Sequence, residues 1–527
     1  KPSSRSTQAA VIPLSALAAL NTFDANFSVH VKSAIYNRAA IKDLVAEGTL
    51  YNGALDFKRL SVGKLAGASA RISGKILGLS EVPSAKNLRF SAKVPNLTAL
   101  ARLSGTKLPP AAKKLGAVTL KGRLDGSLIA PTIDTVTTFA SATATYKGRL
   151  SALSLGDMLS GKITLRHKNL LSLLRRLGVD YRPKGKLGAL DLAAEIKGGA
   201  DKINLKSFQA RIGKTSIGGT VSAVLSGAKP LITANLKTSA LNIVNFLPAQ
   251  KNAALKGLVP TLTPAAWRPP STGVAGTTPL LQHAARGQWS TKPLDLSALN
   301  LLDADIQLRT PILIYGRYLA ENADIVAKIN NGILRVEKLS AKLFGGTLLG
   351  NAEAAAVGNR IQSNVKVTGL NVENALVAVT GEAAANGKVD FALDVTSGGR
   401  SVAAIIQALN GRGNFALSNM DVRKATKGSL ISGLLGLFTS LNKLGGKSGS
   451  NKGSVNASFD INRGIATTND LKLASSFGNG AAAGNINLPR WTIDLNGEIL
   501  LAESFLTRLL KAKVRERRNA VPFSITG

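Results

Sequence analysis

In the stretch ILRVEKLSAKL (Ile333–Leu343), Leu334 and Val336 alternate with Arg335 and Glu337. After one slip, Leu339, Ala341 and Leu343 resume the alternation with Ser340 and Lys342. A two-residue period puts all of these apolar side chains on one face of a β-strand. The stretch has a twin. ALDFKRLSVGKL (Ala54–Leu65) carries Leu55, Phe57, Leu60 and Val62 in the same places, slip included. Each copy follows an Asn-Gly pair, Asn52-Gly53 and Asn331-Gly332. Asn-Gly marks a two-residue hairpin because both turn positions take positive φ. Beyond the second copy, Leu348, Val365 and Val367 continue the alternation. Glycine-rich points at FGGTLLG (Phe344), SIGGTVSA (Ser216) and FGNGAAAG (Phe477) are expected to separate one strand from the next. The predicted fold is mainly β: a long repetitive antiparallel β-sheet curved into a groove. Short α-helices are predicted over 97–103, 170–177, 372–379 and 405–409. SLISGLLGLFTSLNKL (Ser429–Leu444) carries a longer apolar stripe. It predicts an amphipathic helix that packs on the sheet or lies on a membrane rather than spanning one.

The twin turns lie 279 residues apart (331 minus 52), and IYNR at Ile35 and IYGR at Ile314 keep that spacing. IPLSALAALNTFDANFSV (Ile12–Val29) matches LDLSALNLLDADIQL (Leu294–Leu308). The apolar run near the start therefore reads as the opening of a domain, not a signal sequence or a membrane span. Between the copies, Pro248–Pro293 holds seven prolines and no acidic residue, the composition of an irregular linker. The expected domains are a first β-repeat region over 1–247, the linker over 248–293, and a second β-repeat region over 294–527, truncated at its end. A shorter period runs inside the first half: Asn96–Gly126 parallels Asn169–Gly199 at a spacing of 73 (169 minus 96), and a third unit opens at Leu241. Such periodicity is the mark of stacked units that bury surface only against their neighbours.

Composition changes the expected partners more than the expected fold. The 527 residues carry 67 Lys+Arg against 30 Asp+Glu, a net charge of +37. That field attracts polyanions. With aromatics at 5% there are few stacking platforms for single-stranded nucleic acid, so an anionic membrane surface is expected and nucleic acid is not. Near the end of the chain, Arg508, Lys511, Arg515 and Arg518 share one face at helical spacing, with Phe505, Leu506, Leu509 and Leu510 on another. They are candidates for contact with anionic lipid. The chain begins at Lys1 and ends on the strand-like VPFSITG, and is read as a piece of a longer or processed protein.

Catalytic patterns fail one after another. No cysteine is present, which removes disulfides, thiolate nucleophiles and Cys-ligated metals. Asp303-Ala304-Asp305 has the residues of an acid–base or metal pair, but its twin is Asp24-Ala25-Asn26, without the second carboxylate. GGKS at Gly445 and GKT at Gly213 lack the first glycine of a phosphate loop, with Leu441 and Phe208 in its place. GRGNFA (Gly411–Ala416) runs into a predicted strand where a dinucleotide motif needs a helix. SLNK (Ser440) and SVGK (Ser61) match Ser-x-x-Lys without its partner motifs. His30, His167 and His283 are scattered. No catalytic residue, cofactor or metal is expected, and the chain is not expected to be an enzyme.

An aliphatic sheet face of this length must be covered, by a second sheet, helices, closure or an apolar ligand. The predicted helices are too few and short to cover it all. About 25 strands at ~4.8 Å spacing would make a trough of ~120 Å lined by the apolar face. The expected groove residues are Leu334, Val336, Leu339, Ala341, Leu343, Leu348, Val365 and Val367, with Leu55, Phe57, Leu60 and Val62 as twins. The expected partner is phospholipid or another acyl lipid. Five stretches carry a resemblance: GQWSTKPLDLSAL from Gly287, LDLSALNLLDADIQL, NNGILRVEKLSAKLFGGTLLGNAEA, ALNGRGNFALSNMDVRKA and GIATTNDLKLASSFGNGAAAGNINL. In their order and spacing they resemble the C-terminal region of the AsmA family, over about 285–500, and through the duplication over 12–247. The resemblance implies a periplasmic protein tied to the inner membrane by an N-terminal helix absent from this chain. It also implies a part in outer-membrane integrity and, by kinship with TamB-like proteins, bridge-type lipid transfer. Alternatives are an assembly factor for outer-membrane proteins, or a closed β-sandwich array acting at the surface.

Overall fold

The computed structural model describes residues 22–36, 39–79, 82–103, 105, 108, 110–151, 157–247, 289–383, 385–422, 452–476, 478–502 and 520–526. Residues 248–288 of the linker expected over 248–293, the amphipathic stretch 429–444 and the basic positions Arg508, Lys511, Arg515 and Arg518 lie outside them, as do residues 12–21. The chain forms two compact units, Lys1–Thr238 with Asn245–Ala249 and Ser239–Val244 with Gln250–Gly527.

The first unit opens with β1 (Ala25–Tyr36), β2 (Ala39–Tyr51), β3 (Ala54–Leu65), β4 (Ala68–Leu77) and β5 (Ser84–Val94). Two short helices, α1 (Leu97–Leu103) and α2 (Pro110–Lys113), lead into β6 (Val118–Ser127), β7 (Thr132–Phe139), β8 (Ala142–Leu150) and β9 (Leu159–His167). Helix α3 (Leu170–Arg176) precedes β10 (Leu190–Gly198), β11 (Lys202–Ile212), β12 (Thr215–Val224) and β13 (Leu231–Thr238). From β1 to β13 each strand pairs antiparallel with the next. The 73-residue period is visible in the caps. Asn96 Oδ1 accepts from the N–H of Thr98 and Ala99 to start α1, and Asn169 Oδ1 accepts from Ser172 N–H at 3.0 Å to start α3. Asparagine suits this position because its short side chain reaches the free N–H groups of the first turn.

The second unit begins with the two-residue β14 (Leu241–Asn242), which pairs parallel with β15 (Asp303–Tyr315). An antiparallel series follows through β16 (Tyr318–Asn330), β17 (Ile333–Leu343), β18 (Gly346–Ala355) and β19 (Arg360–Asn371). Helix α4 (Val372–Thr380) leads to β20 (Ala385–Gly398), and α5 (Val402–Gln407) to β21 (Asn410–Val422). The series closes with β22 (Gly453–Asn462), β23 (Ile465–Ser475), β24 (Gly478–Asn487), β25 (Thr492–Leu501) and β26 (Ala520–Thr526). The fold is mainly β, and neither unit's sheet closes into a barrel.

The duplication extends to fine detail. Adding 279 to the bounds of β2 gives those of β16. The slip in the alternation is a β-bulge, an extra residue that bends the strand and keeps the next apolar residue on the same face. Its register shift falls between Phe57 and Leu60 in β3 and between Val336 and Leu339 in β17, again 279 apart. A second irregularity puts Asp43 (φ 54) and its counterpart Asn322 (φ 52) in the left-handed region. Both Asn-Gly turns are type I′ in sign, with φ of 45 and 66 at Asn52-Gly53 and 48 and 79 at Asn331-Gly332.

Two expectations need correction. Gly218-Gly219 does not separate strands: both lie inside β12, and the turn before it is Gly213-Lys214. A Cβ at Gly219 would stand 1.9 Å from the Asn235 carbonyl oxygen, so close strand approach accounts for the glycine. The helix expected over 405–409 runs instead over Val402–Gln407, because Ser401 Oγ accepts from Ala404 N–H at 3.2 Å and starts it earlier.

Residues 289–301 lace across strand ends of the second unit. Trp289 Nε1 donates to Leu488 O at 2.8 Å in the β24–β25 turn, and its ring meets Trp491 edge to face at 5.7 Å. Leu294 N–H then donates to Arg400 O just before α5, and Asn359 Nδ2 in the β18–β19 turn donates to Leu294 O. Trp289 and Leu294 thus tie turns that are far apart in sequence.

Candidate functional site

Directly opposed residues in an antiparallel pair share a face, so the register identifies rows of side chains running across the strands. In the second unit one row is Leu308, Ile325, Leu339, Gly350, Val365, Leu393, Gly413 and Phe459, each opposite the next. A parallel row is Ala341, Leu348, Val367, Phe391, Phe415 and Ala457. Eight strands at ~4.8 Å make the first row roughly 34 Å long. In the first unit Val29, Ala46, Leu60, Ile72, Phe90 and Gly122 form such a row, and Val31, Leu44, Val62, Ala70, Ala92 and Leu120 another. No polar residue interrupts any of the four.

All the groove residues read from the alternation fall on these faces. Leu334, Val336, Leu339, Ala341 and Leu343 share the apolar face of β17, with Leu348 on β18 and Val365 and Val367 on β19. Leu55, Phe57, Leu60 and Val62 share that of β3. Ala341 and Val367 are buried, while Leu334, Val336, Leu339, Leu343, Leu348 and Val365 are only half-buried. The alternation missed the rest of the rows, notably Ile325, Phe391, Leu393 and Phe415. They obey the same period, and only the register assigns them to their rows.

Burial divides the second unit's face. Toward its C-terminal strands the apolar side chains are sealed: Val455 is 1% exposed, Leu473 and Ile499 2%, Leu471 and Leu495 3%. With Met420, Ile493, Phe523 and Ile525 they form one core cluster, to which Val372 and Leu376 of α4 add. The face is therefore open over β17–β19 and closed over β22–β26. In the first unit the closed part is small. Leu173 of α3 joins Ala140, Ala142 and Leu190, flanked by Leu170, Leu177, Leu165 and Leu192.

Rings lie over glycines on this face. A Cβ at Gly413 would stand 2.4 Å from Phe459 Cζ, and one at Gly122 2.7 Å from Phe90 Cζ. Each ring occupies the space that a side chain at the facing glycine would need.

The other face is charged. Arg335, Lys338, Lys342 and Lys366 are exposed on it. Asp324 ties three strands of this face: Lys338 Nζ donates to its Oδ2 at 2.7 Å, and Arg309 Nε stands 3.5 Å from its Oδ1. The Lys338 hydrogen bond, with Lys338 and Arg309 charge adding, holds this carboxyl below its ordinary value.

The former catalytic candidates have ordinary structural roles. Asp303 Oδ1 accepts from Asn331 N–H at 3.0 Å, and Asp24 Oδ1 from Asn52 N–H at 2.9 Å. The shared aspartate of the duplicated triplets thus braces the shared Asn-Gly turn. Ser61 and Gly411–Ala416 sit within strands, and Gly213 in a hairpin. Buried His167 places Nε2 3.1 Å from Ala140 O and accepts from Asn169 N–H at Nδ1, which fixes the start of α3. Ser440, Gly445 and His283 lie outside the described residues. Among the described residues no three His, Asp or Glu side chains cluster as a metal site, and no helix is long and apolar enough to cross a membrane.

Among the described residues, the chain is thus a repetitive antiparallel β-sheet protein with one aliphatic face, half-buried over β17–β19 and sealed over β22–β26, and one charged face. The chain belongs to the AsmA family, whose model matches residues 77–471. No curated protein and no solved structure matches it.

Proposed function

We propose that this protein is a non-enzymatic carrier of acyl lipid in the cell envelope, and that acyl chains lie on the apolar sheet face while their head groups stay in water. The observation that carries the reading is the set of unbroken apolar rows whose large side chains remain half-buried. Membership of the AsmA family, generally associated with envelope and lipid-related function, supports it. Energetics favour passive movement. Full burial of a sixteen-carbon chain is worth on the order of 10 kcal/mol at ~0.8 kcal/mol per methylene. On an open face only about half of each methylene leaves water, so the gain falls to roughly 5 kcal/mol spread evenly over the chain. A chain held weakly at every point can slide without leaving. The proposed place of action is the periplasm, at the inner membrane, in support of outer-membrane lipid homeostasis.

The test is mass spectrometry of organic extracts from the purified chain, paired with transfer of a fluorescent acyl lipid between vesicles. Bound phospholipid and accelerated transfer are the expected results. A lipid-free protein that leaves transfer at its spontaneous rate would overturn the reading.

A further inference from the structure

A cavity of about 570 Å³ opens beside α3 in the first unit, within the size range of small-molecule sites. Its lining combines the apolar Leu171, Val179 and Pro183 with the basic Lys114, Arg175 and Arg182 and the acidic Asp180. Leu171 and Arg175 are four residues apart and share one side of the helix, while Leu170, Leu173 and Leu177 pack on the apolar sheet cluster. The cavity thus stands across the helix from the face proposed to hold acyl chains.

Its cations come from two connections of the 73-residue repeat. Lys114 follows α2, between β5 and β6, and Arg175 belongs to the connection between β9 and β10. Both line the cavity, and Gly178, just past α3 at φ 86, leaves room for Lys114: a Cβ there would stand 2.6 Å from Lys114 Nζ. Arg182 is already engaged, its Nε donating to Asp180 Oδ1 at 2.8 Å. Among the described residues, neither Lys114 nor Arg175 has a carboxylate partner. Two cations without a carboxylate partner among the described residues, in a cavity also lined by Leu171, Val179 and Pro183, match a ligand with a phosphate next to hydrocarbon.

We propose that this cavity binds the phosphate-bearing head of an amphiphile, with Lys114 and Arg175 as its anion ligands. The inference deepens the lipid-carrier reading by naming a head-group preference. Arg175 can present two parallel N–H donors to one phosphate, and Lys114 supplies a point charge.

The experiment uses the full chain and the double variant Lys114→Gln/Arg175→Gln, with circular dichroism and melting as folding controls. Uptake is compared from vesicles holding phosphatidylglycerol and diacylglycerol with the same acyl chains, which differ by the phosphate. Charge-assisted hydrogen bonds predict a roughly tenfold or greater preference for the phosphate-bearing lipid in the wild type. The preference should fall to within about twofold in the variant, with diacylglycerol uptake unchanged. In a second arm glycerol 1-phosphate, which has no acyl chain, is titrated by NMR. Its binding by the wild type and loss in the variant would uphold the site even if no acyl lipid loads, separating it from the carrier reading. Equal lipid preference and equal glycerol 1-phosphate binding in the two proteins would overturn the proposal while leaving the carrier reading standing. Should the double variant melt early, Lys114→Glu on its exposed turn repeats both arms.

Discussion

Leu339→Asp separates a ligand-bearing face from an ordinary core. Leu339 stands mid-row between Ile325 and Gly350 and is half-buried. In the empty protein the new carboxylate would reach water, so folding should lose only about 1 kcal/mol, part of the ~1.5–3 kcal/mol of a fully buried leucine. With an acyl chain in place the carboxylate would face hydrocarbon. Losing contact with two or three methylenes costs ~2 kcal/mol, and 1.4 kcal/mol is a factor of ten, so lipid affinity should fall about 30-fold. Water drawn in to solvate the charge spares the larger desolvation cost. Lys366→Asp is the control, since Lys366 lies between Val365 and Val367 and is exposed on the opposite face. Lys338 is a poorer control because it pairs with Asp324. A third variant, Leu473→Asp, puts the same charge where the side chain is 2% exposed. It should cost several kcal/mol of stability. Loading is read as lipid per protein by mass spectrometry, and stability by thermal melting. Equal loading in Leu339→Asp and Lys366→Asp at matched melting temperature would refute the assignment, as would a Leu339→Asp protein as unstable as Leu473→Asp.

Other outcomes follow from the same geometry. Asp303→Ala removes the acceptor that braces the Asn331 turn and should cost about 1 kcal/mol in chemical denaturation. Asp24→Ala should cost the same, and neither should change lipid loading; a loss of loading would reopen a ligand role for the triplet. Gly413→Val must displace the Phe459 ring and meets the Ala392 carbonyl at 2.7 Å, so about 1–3 kcal/mol should be lost. Adding Phe459→Ala should recover only part of it, because the carbonyl stays; full recovery would show that the ring alone sets the glycine. Asp324 has its folded value lowered from 3.8 by Lys338 and Arg309. Its contribution is complete above about pH 4 and is lost as pH falls through the lowered value. Asp324→Asn should therefore flatten the loss of stability expected of the wild type as pH falls below about 4, and an unchanged profile would assign that loss to other carboxylates.

Much of the fold was legible because a strand writes its face into every second letter. The alternation located β17 and β3, and its slip marked the bulges at Val336–Leu339 and Phe57–Leu60. The Asn-Gly pairs marked type I′ turns through the local energetics of positive φ, and the 279-residue spacing paired β2 with β16. Long-range features were not legible. Nothing local in GQWSTKPLDLSAL shows that Trp289 reaches Leu488, or that Leu294 reaches Arg400 and Asn359. Alternation also reads the same for Leu339 and Leu473, although one is half-buried and the other sealed. Period fixes the face, whereas burial depends on what packs against it. The Asp303 triplet was set aside because its twin lacks the second carboxylate, and its bracing role is visible only in the Asn331 contact.

Lipid is proposed to lie on one face of the sheet. Val365 and Lys366 are adjacent on β19, with Val365 in the apolar row and Lys366 on the charged face. A photoreactive amino acid placed at each position in turn, in the full chain within cells, reads both faces with the backbone held constant. Photolysis should yield an acyl-lipid adduct by mass spectrometry at position 365 and none at 366. Equal adducts at the two positions, or none at 365, would contradict the account.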